Sequence, residues 1–353
     1  MVKRYANLFG QITTFENLFT AYRKAAKGKR GQPNVADFEF DLERNLFDLQ
    51  AELRDGSYRP GAYRSFYIRD PKRRLISAAP FRDRVVHHAL CNVIGPIFER
   101  TFIGDSYANR EGKGTHAALD RCQSFARRYR YVLQCDIEQF FPSVDLTVLR
   151  EMLARKLADD ATMALVDRIL EAGAPVLTGE YAMHWFPGDD LFAVARPRGL
   201  PIGNLTSQFW ANVYLNALDQ FVKRVLHCAA YLRYVDDFLL FSDSKRELWA
   251  WKDAVRDKLA ELRLTLHERE STVYPVTNGI PFLGFRVYPT HRRLKRRNGV
   301  MFARRYRRLR RAAARGDLRW ADVRIRVQGW IAHAAHGNTW RLRRSLLAQV
   351  VRG

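Results

Sequence analysis

Long apolar runs are missing from this chain. No stretch of its 353 residues approaches the roughly 20 apolar positions that a bilayer-spanning helix needs. The amino terminus, MVKRYANLFGQITTFENLF, is basic but has no uninterrupted apolar core of the kind a secretory leader carries. A cytoplasmic chain with no membrane partner is the expectation. Cysteine is scarce: Cys91, Cys122, Cys135 and Cys228 lie far apart and form neither a metal-ligand spacing nor a disulfide framework, which suits a reducing compartment. Internal repeats and low-complexity linkers are absent, so lobes have to be read from changes in pattern. Acid is in short supply, with 37 Asp and Glu against 60 Lys and Arg and a formal net charge of +23. Such a surface repels itself without a polyanionic partner, and nucleic acid is the partner it points to. The 47% hydrophobic content excludes a disordered chain and fits a globular protein of two or three lobes.

The charge imbalance is concentrated. Between Thr290 and Arg315 there are twelve Lys or Arg (Arg292, Arg293, Lys295, Arg296, Arg297, Arg304, Arg305, Arg307, Arg308, Arg310, Arg311 and Arg315) and no acid. Solvated helices ordinarily mix both signs, so this run reads as a phosphate-contacting surface. Upstream, the apolar spacing from Thr13 to about Leu53 is helical, and RDGSY breaks it. AYRSFYIRDPKRRLISAAP alternates aromatic and polar residues around a Pro, which predicts a hairpin with basic residues near its tip. FRDRVVHHALCNVIGPIF predicts a helix on which His87 and His88 lack ligand-spaced partners and are structural. Tyr131 to Cys135 predicts a short buried strand that stops at Asp136. RGLPIGNLTSQFWANVYLNALDQFV predicts a Gly-Asn loop feeding an amphipathic helix. GIPFLGFRVYP predicts a further strand or hairpin.

The stretch YLRYVDDFLLF sets Asp236 and Asp237 inside an apolar run. Buried carboxylates are costly unless something positive accompanies them, which leaves a bound metal, a buried Arg partner or an exposed turn. Two short strands with the pair at their bend, together with Asp136 at another strand end, make a three-carboxylate cluster if the strands are neighbours. Carboxylate oxygens are the hard ligands that Mg²⁺ prefers, and paired ions can clamp both oxygens of a phosphoryl displacement. Because successive strand residues face opposite ways, Asp236 is expected beside Asp136 and Asp237 at the periphery. Asp145, Asp189 and Asp190 read as cap or loop acids.

These motifs resemble those of the reverse transcriptases: YVDD matches their Tyr-x-Asp-Asp hairpin, and QCDIEQFF matches their earlier strand-end Asp. The resemblance runs from about Asn45 to the basic tail. It implies an α+β right-hand polymerase, with an N-terminal extension and fingers over 1–128, a palm of antiparallel sheet packed on helices over 129–288, and a basic helical thumb over 289–353. Part of the fingers falls in the 146–200 connection. It further implies Asp136, Asp236 and Asp237 as catalytic, and Asp136, Ile137, Asp236 and Asp237 as the metal set for two Mg²⁺ ions, with Mn²⁺ able to replace them. Lys72 and Arg74 would hold the triphosphate of the incoming deoxynucleotide, Arg73 diverging from them. Phe141 would lie under the sugar and exclude a 2′-hydroxyl, a core Phe being the other reading. Arg110, in SYANREGKGTHAAL, would touch template or nucleotide; this is not a Walker-type loop, because Tyr107 stands where that loop needs Gly. FLGF at 282–285 matches the hairpin that supports the primer end. Arg292, Arg293, Lys295, Arg296, Arg297, Arg304 and Arg305 would grip the RNA/DNA duplex.

The loop LPIGNLTSQ narrows the resemblance. Ile202-Gly203 followed by Ser207-Gln208 is similar to the pattern of diversity-generating retroelement enzymes, which copy a structured template RNA with errors at adenine and assemble with an oligomeric accessory protein. Ile202, Gly203 and Gln208 then lie at the nucleotide. The 172–198 connection is longer than the pattern of those enzymes, which leaves open a related enzyme serving antiphage defence. An idle RNA-binding scaffold and a two-metal nuclease are the remaining readings. No endonuclease-like or RNase H-like segment follows the basic run, so DNA cleavage or RNA removal is expected from elsewhere.

Overall fold

The computed structural model describes residues 3–69 and 73–348. Helices α1 (Phe9–Ile12), α2 (Phe15–Ala26), α3 (Pro33–Phe40) and α4 (Leu42–Arg54) precede an exposed hairpin, β1 (Arg64–Ile68) and β2 (Arg74–Ala78). Then come α5 (Phe81–Glu99), α6 (Thr115–Arg128), β3 (Tyr131–Cys135), α7 (Phe140–Ser143), α8 (Leu146–Ala154) and α9 (Asp160–Gly173). Two 3₁₀ segments, Ala174–Glu180 and Leu191–Ala195, punctuate the connection to α10 (Leu205–Arg224). After it follow β4 (Tyr231–Tyr234), β5 (Asp237–Ser242), α11 (Lys245–Glu261) and β6 (Thr272–Pro275). The chain ends in β7 (Ile280–Phe282), β8 (Phe285–Val287), β9 (Arg292–Leu294) and the helices α12 (Arg296–Ala314), α13 (Trp320–Ala334) and α14 (Trp340–Ala348).

The central sheet runs β4-β5-β3-β6, antiparallel throughout. Its residues alternate between two cores, as the strand period requires. Leu133, Cys135, Phe238 and Leu240 join the larger core, with Leu149 of α8, Leu215 and Leu218 of α10, and Val255 and Leu259 of α11. Val132, Leu239 and Phe241 face a second core, built from Ala118, Leu119, Cys122 and Phe125 of α6 and from Ile280, Phe282, Phe285 and Val287. Apolar residues on both faces explain why these strands read as near-continuous hydrophobic runs. Local signals set the helix starts. Asp145 accepts from Val148 N at 3.0 Å to open α8, and Ser244 accepts from Glu247 N at 3.3 Å to open α11.

Most sequence expectations hold here, including the hairpin at 64–78, the strand at 131–135 and Asp145 as a cap. Asp190 caps the second 3₁₀ segment through Phe192 N at 3.0 Å. Asp189 is a loop acid, held by a two-pronged pair with Arg263 at 2.6 and 2.9 Å. His87 is buried, and desolvation holds its imidazole down at about 3. The basic run departs from the expectation of a wholly helical tail: Arg292–Leu294 pairs with β8, and the helix starts only at Arg296. Among the described residues no helix is long and apolar enough to cross a membrane. The four cysteines are free thiols.

Candidate active site

Register places the acids. Cys135 pairs with Phe238, and Tyr234 pairs with Asp237. The next step along β3 therefore sets Asp136 beside Asp237, at the sheet end where Val235 and Asp236 form the two-residue turn. Such turns need a positive φ at a central position, and Val235 supplies it at +57°. Main-chain bonds back the Asp136 loop: His267 N donates to Asp136 O at 2.9 Å, and Glu138 N donates to Thr265 O at 2.9 Å.

Asp237 lies on the strand itself and Asp236 on the turn. Asp237 shares a sheet face with Leu239, and Gln134 Nε2 donates to its Oδ1 at 3.4 Å. Burial, then the negative charge of Asp136 and, to a smaller extent, Asp236, push its carboxyl up to about 7, while Gln134 and Lys295 pull the other way. The three acids thus feel one another. They do not close into the expected cluster: among the described residues no three His, Cys, Asp or Glu side chains surround a common point. Asp237 sits on the strand and Asp236 on the turn, and the acids line the sheet end as an open edge. Hard oxygen donors under mutual repulsion fit divalent cations, and from Ile137 only the main-chain carbonyl could join them.

The residues expected on the nucleotide side are linked through the Ile202 loop, which bonds β2 at Ser77 and, through Leu200 N, the carbonyl of Phe141. Phe141, in α7, is partly buried and lies edge-on to Phe140 at 5.3 Å. Arg74 is exposed at the start of β2, while Arg73 turns back over the Tyr67 ring at 4.0 Å. Lys72 lies outside the described residues. Ile202 is half-exposed, and its carbonyl accepts from Ser77 N of β2 at 2.8 Å. Gly203 adopts φ +120°, and a Cβ there would meet Ile76 Cγ2 at 3.2 Å, so the close approach of loop to hairpin needs Gly. Gln208 is half-buried in the first turn of α10.

Two expected contacts are corrected. Arg110 does not reach outward: its guanidinium bonds Glu99 at 2.7 Å and the carbonyls of Ile103 and Ser106 at 2.6 and 2.9 Å, because it ties the 99–106 loop together. Arg292 is buried in β9 and donates to Asp120 of α6 at 2.6 Å, which fastens the third sheet to α6. Arg293 of β9 and Lys295, Arg296 and Arg297 at the start of α12 stay exposed, and Lys295 is close enough to Asp237 to feel its charge. Arg304, Arg305 and Arg308 line a groove of about 720 Å³ with Arg326, over the Phe302–Trp330 stack at 3.7 Å.

Sequence reasoning missed two buttressing residues, one at the aspartate edge and one between β2 and the Ile202 loop. Gln134 links Asp237 to Pro281 O of β7 at 3.2 Å and accepts from Tyr274 OH at 2.7 Å; a polar residue within an apolar strand, two before the Asp, was the available signal. Asn204 is buried, accepts from Ala79 N at 3.0 Å and donates to Ser77 O at 2.8 Å and Pro201 O at 3.0 Å. It reads as a helix cap from its position, yet its side chain makes no cap bond.

Residues 69–287 match the family model described as reverse transcriptase (RNA-dependent DNA polymerase). Protein YkfC of Escherichia coli (strain K12) is 27% identical over 279 residues, covering 68% of this chain and 70% of that protein. The group II intron-encoded protein LtrA of Lactococcus lactis subsp. cremoris is 27% identical over 211 residues, 59% of this chain and 32% of that protein, so the chain spans about a third of that relative. The solved structure of apo telomerase from Candida tropicalis, truncated from its C-terminal domain, aligns with TM-score 0.47 and 12% identity, over 72% of this chain and 60% of that one. With the match running from the hairpin through both aspartate strands to β8, more than half of its length, the chain belongs to the reverse transcriptase family of RNA-directed DNA polymerases.

Proposed function

We propose that the chain makes DNA on a structured RNA template by nucleotidyl transfer at the Asp136–Asp236–Asp237 edge. The observation that carries this reading is the register of β3, β4 and β5, which delivers three acids from distant positions to one end of a sheet. Mg²⁺, or Mn²⁺ in its place, would supply Lewis-acid stabilisation of the charge on the transferred phosphate when held there. Asp136 and Asp236 would hold it, and the Ile137 carbonyl would complete the set. Asp237, at the start of β5, would stand beside them. Arg74, with Lys72, neutralises the triphosphate, Phe141 bounds the sugar, and Lys295 with the α12 arginines faces the RNA/DNA duplex backbone. Primer extension on an RNA template tests the reading. Wild-type chain incorporates deoxynucleotides, whereas Asp136→Ala and Asp236→Ala leave none measurable. Extension that survives both substitutions removes the assignment, and nucleotide-independent degradation of labelled RNA or DNA would show a nuclease instead.

The finer reading is an error-prone enzyme of the diversity-generating type, which would work with an oligomeric accessory protein. The open side chain of Ile202 beside the β2 strand supports it, because an aliphatic residue offers no hydrogen bond by which to tell right from wrong partners. Sequencing the DNA made on co-purified RNA separates the alternatives: adenine-biased errors favour diversity generation, and repetitive or untemplated product favours a defence role.

A further inference from the structure

Within the reading just proposed, the orientation of Asp236 has an unexplained requirement. Tyr234 and Asp237 pair directly, so Val235 and Asp236 alone make the turn. Gly or Asn normally takes the positive-φ position of such a turn. Here a β-branched residue stands at φ +57°, a conformation that persists only when its surroundings enforce it.

One side chain is placed to enforce it. Arg233 and Asp219 are both fully buried. Nε and Nη2 of Arg233 donate to the two carboxylate oxygens of Asp219, each at 2.7 Å. Nη2 also reaches Ser106 Oγ at 3.2 Å, and Nη1 reaches Asn212 Oδ1 at 3.2 Å. The remaining donor of Nη1 goes to the carbonyl of Val235 at 3.1 Å. All five N–H groups of the guanidinium are thereby used, four to fix the fork and one on the turn. The fork is anchored in turn. Tyr231 OH donates to Asp219 at 2.7 Å, and Asn212 Nδ2 donates to Ala108 O at 2.9 Å. The main chain of Arg233 is pinned on both sides, its N–H donating to Asp105 O and its carbonyl accepting from Tyr107 N, each at 3.0 Å. The ion-pair partner of this buried arginine, next to the acid pair, is Asp219 on α10.

We propose that Arg233, locked by Asp219, is a positioning residue that holds Val235 in its left-handed conformation and so sets the direction of Asp236. A buried ion pair contributes little net stability compared with well-packed apolar residues, so fixing one backbone geometry is a better account of this pair than stabilisation. Lysine at 233 would keep the charge but lacks the planar fork that reaches Asp219 and the turn together.

The test is a double-variant cycle. Arg233→Lys lowers kcat for incorporation about 10²-fold through misplacement of Asp236, with KM for template-primer unchanged. Val235→Gly, which reaches positive φ without help, restores at least tenfold of that kcat in the Arg233→Lys background while Tm stays low. Mn²⁺ binding, followed by electron paramagnetic resonance of the free ion, needs no turnover: it weakens in Arg233→Lys and returns in the double variant. If Arg233→Lys does not fold, Asn212→Ala, which removes an acceptor that shares Nη1 with the turn, takes its place in the same cycle. Losses of kcat and Mn²⁺ affinity that Gly fails to restore, or a variant at 233 or 212 with neither loss, overturn the proposal. An inactive wild-type chain would overturn the polymerase reading alone, and the Mn²⁺ arm would still decide this one.

Discussion

Asn204 ties β2 to the Ile202 loop through three buried hydrogen bonds. Replacing it with Ala leaves Ala79 N–H and the carbonyls of Ser77 and Pro201 without their partner, a loss of roughly 3 kcal/mol for buried groups of this kind. Urea unfolding of Asn204→Ala shows it as a lower midpoint with an unchanged slope. In primer extension the same variant raises KM for deoxynucleotide, because β2, which carries Arg74, is no longer registered against the Ile202 loop. Ile202→Gln acts differently. Its main-chain bond to Ser77 N persists, so the fold is kept and the new amide adds discrimination; sequencing of the product shows fewer errors opposite template adenine.

Among the elements, the loop behind Asp136 owes its position to α11. Glu268 binds Arg256 and also Lys252, the latter at 2.8 Å. Its hydrogen bond to Arg256 holds its carboxyl down to about 2, well below the usual 4.5, against the opposing effect of burial and with help from Lys252. The native chain therefore binds fewer protons there than the unfolded chain. This contribution is fully present above pH 4.5 and is lost as pH falls toward 2. Thermal melts between pH 5 and 2 show a shallower acid decline for Glu268→Gln than for wild type. Few of these tertiary arrangements could be read beforehand. The strand at 131–135, the hairpin bearing the acids and the capping role of Asp145 follow from local pattern, since period, turn and cap are properties of adjacent residues. The inward turn of Arg110 and Arg292, the face taken by Asp237 and the pairing of Arg233 with Asp219 depend on partners from 11 to 172 residues away, which spacing does not encode. A cationic side chain looks the same in sequence whether it faces a phosphate or an internal carboxylate.

At the scale of the whole molecule, charge and fold separate. The two cores flank the central sheet, whereas α12 exposes Arg304, Arg305, Arg307, Arg308 and Arg311 along its outside. Counterion release makes such a surface salt-sensitive. Replacing Arg304, Arg305 and Arg308 with Gln weakens binding to an RNA/DNA duplex of any sequence. Each phosphate contact removed lowers the slope of log Kd against log salt by about 1, which fluorescence anisotropy over a salt series measures.

The stitching of β2 to the Ile202 loop also decides what can move. Ser77 is gripped from both sides of its peptide, by Ile202 O and Asn204 Nδ2, and its hydroxyl meets Ser65 Oγ at 2.8 Å. Arg74, three residues away, stands on a lever arm of roughly 10 Å at the strand rise. On the proposed reading, a swing of the hairpin onto an incoming nucleotide would pivot at Ser77, and with that fulcrum fastened to the Ile202 loop, the gripping of a triphosphate and the inspection of its base would be mechanically a single stroke.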